Sequence, residues 1–196
     1  MIELEKKLLL TEDEYSCLLE HFGKGKSSVK QINYYFDTED LAMNRQNITC
    51  RIRLKDGKYK ATMKRHTSGT DYSTETDMEV RDGIYENAFV DMGLKLQGKL
   101  VTKRCILMKD TNYEVVLDRN EYLGYTDYEL EIEYSPDNEQ DAYLAFRTIA
   151  NVLLHRNSTL TLKDITLHFK STRSKSKRFF EKISTNFFND DSSCHH

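Results

Sequence analysis

The chain has 196 residues, 31% of them charged, yet its formal net charge is only −3. That length suits one domain with a real core, and a near balance of many charges speaks against a basic nucleic-acid binder. Four scattered cysteines (Cys17, Cys50, Cys105, Cys194), no CxxC or Cys/His metal spacing, no leader-like start and no apolar run near the roughly 20 residues of a membrane helix point to a cytoplasmic chain with no membrane partner.

Residues 2–10 alternate, with Ile2, Leu4 and Leu8 on one face and Glu3, Glu5 and Lys7 on the other, which predicts a strand. Thr11, with Glu14 three residues on, reads as a capping box opening a helix to about Phe22, and Gly23 and Gly25 break it. A strand is predicted over 29–37, then a polar connection over 38–47. Strands over 48–55 and 58–65 form a hairpin around Asp56-Gly57. A polar loop over 67–71 leads to a strand over 73–80, and 83–92 carries a weak helical pattern. Residues 99–109 and 112–118 pair through a turn at Asp110-Thr111. A strand over 127–134 is stopped at Pro136, the only proline. A helix over 139–154 presents Ala142, Leu144, Ala145, Ile149, Val152 and Leu153 as its core face. A basic helix over 171–183 closes the pattern. The expectation is one α+β domain over 1–184, mainly antiparallel, of about eight strands with helices outside, and a disordered tail over 185–196.

The charged phases of these strands form ladders. Glu3, Glu5 and Lys7 lie on the first. Arg51, Arg53 and Lys55, then Lys60 and Lys64 around Thr62, lie on the hairpin. Glu75, Asp77 and Glu79 follow, then Glu129, Glu131 and Glu133. A single solvated sheet face alternates in this way as a matter of course. Ladders nearly pure in sign set like charges about 7 Å apart, which is unfavourable on an open surface. A closed sheet with basic strands facing acidic ones turns that cost into a gain if it also binds something charged. Arg and Lys suit a polyanion, and carboxylates suit a hard divalent cation. A polyphosphate with Mg2+ or Mn2+ satisfies both.

Glu3-Leu4-Glu5-Lys6-Lys7 resembles the ExExK signature of the CYTH domain, or triphosphate tunnel metalloenzymes. The resemblance continues in order through Arg51-Ile52-Arg53, Ala61-Thr62-Met63-Lys64, Met78-Glu79-Val80, Arg104, Val116-Leu117-Asp118, Glu129-Leu130-Glu131 and Lys175-Ser176-Lys177-Arg178-Phe179. It implies an eight-stranded antiparallel β-barrel forming a tunnel, and action on a triphosphate-containing small molecule with Mg2+ or Mn2+. It implies that Lys7, Arg51, Arg53, Lys60, Lys64, Arg104 and Lys175 bind substrate. Glu3, Glu5, Asp118, Glu129, Glu131 and Glu79 would hold metal, with Glu133 an alternative to Glu129 on the same face. Glu129, Glu131 and Lys7 would carry the chemistry.

The function expected from these readings is metal-dependent hydrolysis of a triphosphate, foremost inorganic tripolyphosphate. A non-catalytic nucleotide or polyphosphate sensor and a class IV-like adenylate cyclase are the alternatives. Members acting on thiamine triphosphate tend to offer an aromatic to the organic group; this chain has no Trp, and Tyr34, Tyr35 and Tyr72 are the residues available. The oligomeric state is left open by the sequence.

Overall fold

Strand alternation and turn chemistry act together in the computed structural model, which describes residues 4–66, 73–156 and 172–191 along with 161, 163 and 165. In chain order the elements are β1 (Leu4–Leu10), α1 (Glu12–Phe22), β2 (Ser28–Asp37), α2 (Ala42–Arg45), β3 (Ile48–Lys55), β4 (Lys58–His66) and β5 (Ser73–Met78). Then come β6 (Val80–Asp82), β7 (Glu86–Asn87), α3 (Ala88–Asp91), β8 (Lys95–Lys109), β9 (Tyr113–Tyr122) and β10 (Tyr125–Tyr134). A 3-10 turn (Pro136–Asn138) leads into α4 (Glu139–Arg156), and α5 (Lys175–Asp191) follows.

Eight strands form one sheet in the order β1-β10-β9-β8-β2-β3-β4-β5, and β6 and β7 form a separate pair. The pairings of β1 with β10, β2 with β3, β3 with β4 and β4 with β5 are antiparallel. The class is α+β, as the sequence predicts. The capping box of α1 forms in full, with Glu14 N donating to Thr11 Oγ1 at 3.2 Å and Thr11 N to Glu14 Oε2 at 2.7 Å. Asp56 and Gly57 both have positive φ, 50° and 73°, as a two-residue hairpin turn demands.

The contacts divide the chain into two compact units. The first comprises residues 1–30, 102–120 and 126–172. Its sheet has one apolar face, where Leu8, Leu107, Leu117, Leu130 and Ile132 pack with Leu18 of α1 and Phe146, Ile149 and Leu153 of α4. Burying each such side chain is worth about 1.5–3 kcal/mol. The alternation then leaves the other face to the charged residues, interspersed with Leu9, Ile106 and Val116.

The second unit comprises residues 31–101, 121–125 and 173–196. Phe36, Ile48, Cys50, Ile52 and Ala61 pack with Phe89 and Leu94 on one sheet face. On the opposite phase Tyr35 is sealed beneath Phe179 and Phe180 of α5, with ring centroids 4.7 and 5.7 Å away. Gly98 makes room for that helix: a Cβ there would sit 3.0 Å from Phe179 Cζ, on a backbone with φ of +148°.

Three expectations shift. The weak helical pattern over 83–92 yields only β7 and the short α3, started where Asn87 Oδ1 accepts from Phe89 N and Val90 N. The strand predicted to stop at 118 continues to Tyr122, and turns through Leu123 and Gly124, both at positive φ. The last helix starts later, at Lys175, and runs to Asp191 rather than giving way to a tail at 185. The loop expected over 67–71 lies outside the described residues. Among those described, no helix is long and apolar enough to cross a membrane.

Candidate functional site

The register of β1 on β10 sets Glu5 opposite Glu133, Lys7 opposite Glu131 and Leu9 opposite Glu129. Because Leu8, Leu130 and Ile132 take the helix-covered phase, these carboxylates share the other face of the first unit. Lys7 Nζ lies 2.9 Å from Glu5 Oε1 and 3.4 Å from Glu131 Oε1. Arg104 reaches in from β8 and Asp118 from β9. The Arg104 guanidinium donates through Nε and Nη2 to the two oxygens of Asp118, at 2.9 and 2.7 Å, a bidentate fork. Its Nη1 donates to Glu133 Oε1 at 3.0 Å, and its Nη2 also to Glu131 Oε2.

Four carboxylates therefore meet two cations, and both Asp118 and Glu129 have no exposed surface. Burial works against the Arg104 charge, but the hydrogen bonds to Asp118 and the charges of Asp118, Glu131 and Glu133 outweigh it and hold its pKa above the usual arginine value. Burial raises the Glu133 carboxyl above the usual carboxylate range, with Arg104 opposing and Glu131 assisting. The donors are hard oxygens in formal excess of negative charge, the composition that suits a divalent cation. Among the described residues, however, no three carboxylate, imidazole or thiol groups are gathered as a ready metal cage. The guanidinium stands among the oxygens instead.

The second unit carries a basic ladder. Arg51 lies opposite Thr62, Arg53 opposite Lys60 and Thr49 opposite Lys64, and β5 adds Asp77 opposite Thr62 and Glu75 opposite Lys64. Arg53 Nε donates to the buried Asn33 at 3.1 Å. Lys64 Nζ pairs with Glu75 at 3.2 Å, and the exposed Lys60 with Asp77 at 3.1 Å. Burial opposes the Glu75 charge, yet Lys64, Arg51 and Arg53 hold its pKa below the usual glutamate value. The Nε of Arg51 is buried with no hydrogen-bond acceptor among the described residues, a donor suited to an anion. At the start of α5 the Thr49 hydroxyl donates to Ser176 Oγ at 3.2 Å, which places Lys175 beside the Thr49 end of the ladder.

Of the residues singled out from sequence, Glu5, Lys7, Arg104, Asp118 and Glu131 are joined by ion pairs, and Glu129 lies on their face. Arg51, Arg53, Lys60 and Lys64 share the ladder. Glu3 lies outside the described residues. Glu79 sits past the end of β5, exposed, with Arg81 at 3.2 Å, in a surface cluster with Glu86 and Asp91. Glu133, weighed only as a substitute for Glu129, is a full partner of Arg104. Asn33 and the Thr49–Ser176 contact were not foreseen. Asn33 gives one signal, a small polar residue on the phase that also carries Gln31 and Asp37, opposite the charged phase of β3.

A CYTH domain model matches residues 1–163. A protein of Bacillus subtilis (strain 168) named "Putative triphosphatase YjbK" is 29% identical over 197 residues, covering 92% of this chain and 95% of that protein. Among solved structures, a Bacillus halodurans protein described as "a putative adenylate cyclase" is similar with a TM-score of 0.63 and 25% identity, covering 91% of this chain and 97% of that one. A Hippeastrum protein named a "Putative adenylyl cyclase", and described as having a dominant triphosphatase activity, has the same fold at a TM-score of 0.63 and 16% identity, covering 92% of this chain and 96% of that one.

Proposed function

The chain belongs to the CYTH family, and on that premise we propose that it hydrolyses inorganic tripolyphosphate with the help of Mg2+ or Mn2+. The observation that carries this reading is the segregation of sign. A buried face of the first unit holds carboxylates in excess around Arg104, and a more exposed face of the second unit holds a ladder of Arg and Lys with a buried, unfilled donor at Arg51 Nε.

Arg51 and Arg53 bind the non-bridging phosphate oxygens through their planar forks, while Lys64, Lys60 and Lys175 supply compact positive charge. Glu5, Asp118, Glu131, Glu133 and Glu129 are the residues to hold a divalent cation, with Glu3 as a further ligand. Such an ion supplies Lewis acidity and lowers the pKa of a bound water. Glu131 or Glu129 orients the attacking water and takes its proton at a carboxylate oxygen. Lys7 and Arg104 offset charge as it builds on the departing phosphate, the electrostatic role that dominates phosphoryl transfer.

The aromatic residues favour a substrate with no organic group. Tyr35 is 1% exposed beneath α5, Tyr34 lies on the opposite phase against the Phe36 and Phe89 cluster, and Tyr72 is outside the described residues. Apart from Tyr35, no Phe or Tyr stands on the ladder phase of β2 to β5 among the described residues, so a thiazolium, pyrimidine or purine ring finds no exposed Phe or Tyr to stack on there.

The test is phosphate release by the purified chain from tripolyphosphate, thiamine triphosphate and ATP, with Mg2+, Mn2+ or EDTA. Tripolyphosphate is expected to be the best substrate, EDTA to stop turnover and Glu5→Gln to reduce it strongly. Metal-dependent binding without any turnover would instead favour the sensor reading, and cyclic AMP from ATP the cyclase.

A further inference from the structure

Arg104 is largely enclosed by carboxylates. Its side chain is 16% exposed, and four donor contacts run from its guanidinium to Asp118, Glu131 and Glu133. A guanidinium has five N–H donors and no acceptor, so nearly all its capacity is spent on carboxylates. Those oxygens are also the best metal donors in the first unit. A divalent cation approaching Asp118, Glu131 or Glu133 meets a fixed positive charge already among them, in surroundings where screening by water is weak.

We infer that Arg104 is a resident counter-ion that a divalent metal must displace from Asp118, Glu131 and Glu133, so that the chain without metal is held in a state of low metal affinity. The inference rests on the metal-dependent reading above and adds a competitor to it. In the absence of metal the guanidinium keeps the buried carboxylates from repelling one another. That stabilising role and its opposition to metal have the same origin. Lys7, between Glu5 and Glu131, is a weaker form of the same device, because an ammonium cannot fork onto a carboxylate.

Mn2+ binding to the full chain, without any phosphate, is read by the loss of the free-ion electron paramagnetic resonance signal. Arg104→Gln is expected to bind Mn2+ about tenfold more tightly than the native chain, a size typical of coupling between sites. It should melt lower than the native chain in EDTA, and the gap should narrow in saturating Mn2+. Arg104→Lys keeps a charge without the fork and should fall between the two; it decides the matter if the glutamine variant does not fold. Equal or weaker Mn2+ binding in a folded Arg104 variant, with the native chain still binding Mn2+ and turning over, overturns this inference alone. Absence of Mn2+ binding in every form overturns it together with the metal-dependent reading.

Discussion

The acidic face of the first unit and the basic ladder of the second are built by the same alternation, yet they handle crowded charge differently. In the first, Arg104 and Lys7 are drawn inside and satisfied by buried carboxylates. In the second, Lys60 and Lys64 lean on Asp77 and Glu75, whose side chains are 72% and 44% exposed. Removing one partner of a buried pair costs about 3–5 kcal/mol, whereas an exposed pair contributes about 0–1 kcal/mol. The comparison teaches that the acidic face is a network of largely buried ion pairs, while the ladder's lysines rest on exposed acids, the counter-ions that phosphate would replace under the proposed function.

The sharpest way to break that contrast is at Glu131, which touches both Lys7 and Arg104. Glu131→Gln is expected to lower kcat for tripolyphosphate by roughly 10²–10³, the range for removing one preorganised electrostatic group. A change of only a few-fold in steady-state phosphate release would mean that the buried network is merely structural. Stability should be lost by a different route at Leu130, fully buried on the helix-covered side of the same strand. Leu130→Ala is expected to cost about 2–5 kcal/mol in urea unfolding.

On the ladder, Arg51→Lys keeps the charge and loses the fork. A charge-assisted hydrogen bond is worth about 1.5–3 kcal/mol, so KM for tripolyphosphate should rise roughly ten- to hundredfold with kcat less affected. The smallest effect is at Glu75, whose folded pKa lies below the ordinary 4.5. A depressed acid stabilises the fold above its unfolded pKa, and that share is lost as pH falls through the folded value. The stability difference between the native chain and Glu75→Gln should therefore be flat above pH 4.5 and shrink below it. A difference that grows on acidification would contradict the pairing with Lys64.

Legibility in the sequence followed the range of the interactions. Asp56-Gly57 announced its hairpin because both residues tolerate positive φ, whereas Leu123-Gly124 makes a similar turn with a leucine that hides it. The charged phases were readable because alternation is local. Which acid meets which base was not, since the register of β1 on β10 and the reach of Arg104 join distant segments. Arg104 itself was visible only through family resemblance, and its enclosure by three carboxylates has no local signature. The basic segment near the C-terminus was read as a helix, but its start at Lys175 depends on Ser174, whose carbonyl and hydroxyl accept from Arg178 N and Lys177 N. Its burial of Tyr35 could not be foreseen without the strand beneath it.

The division of labour between the two charged faces is tested most directly by one kinetic grid: phosphate release across a matrix of Mn2+ and tripolyphosphate concentrations for the native chain, Glu131→Gln and Arg53→Ala. Glu131→Gln should need far more Mn2+, or fail to respond to it, and Arg53→Ala should need more tripolyphosphate at an unchanged Mn2+ requirement. Interchanged responses, or a native chain indifferent to Mn2+, would contradict the assignment of metal to one face and phosphate to the other.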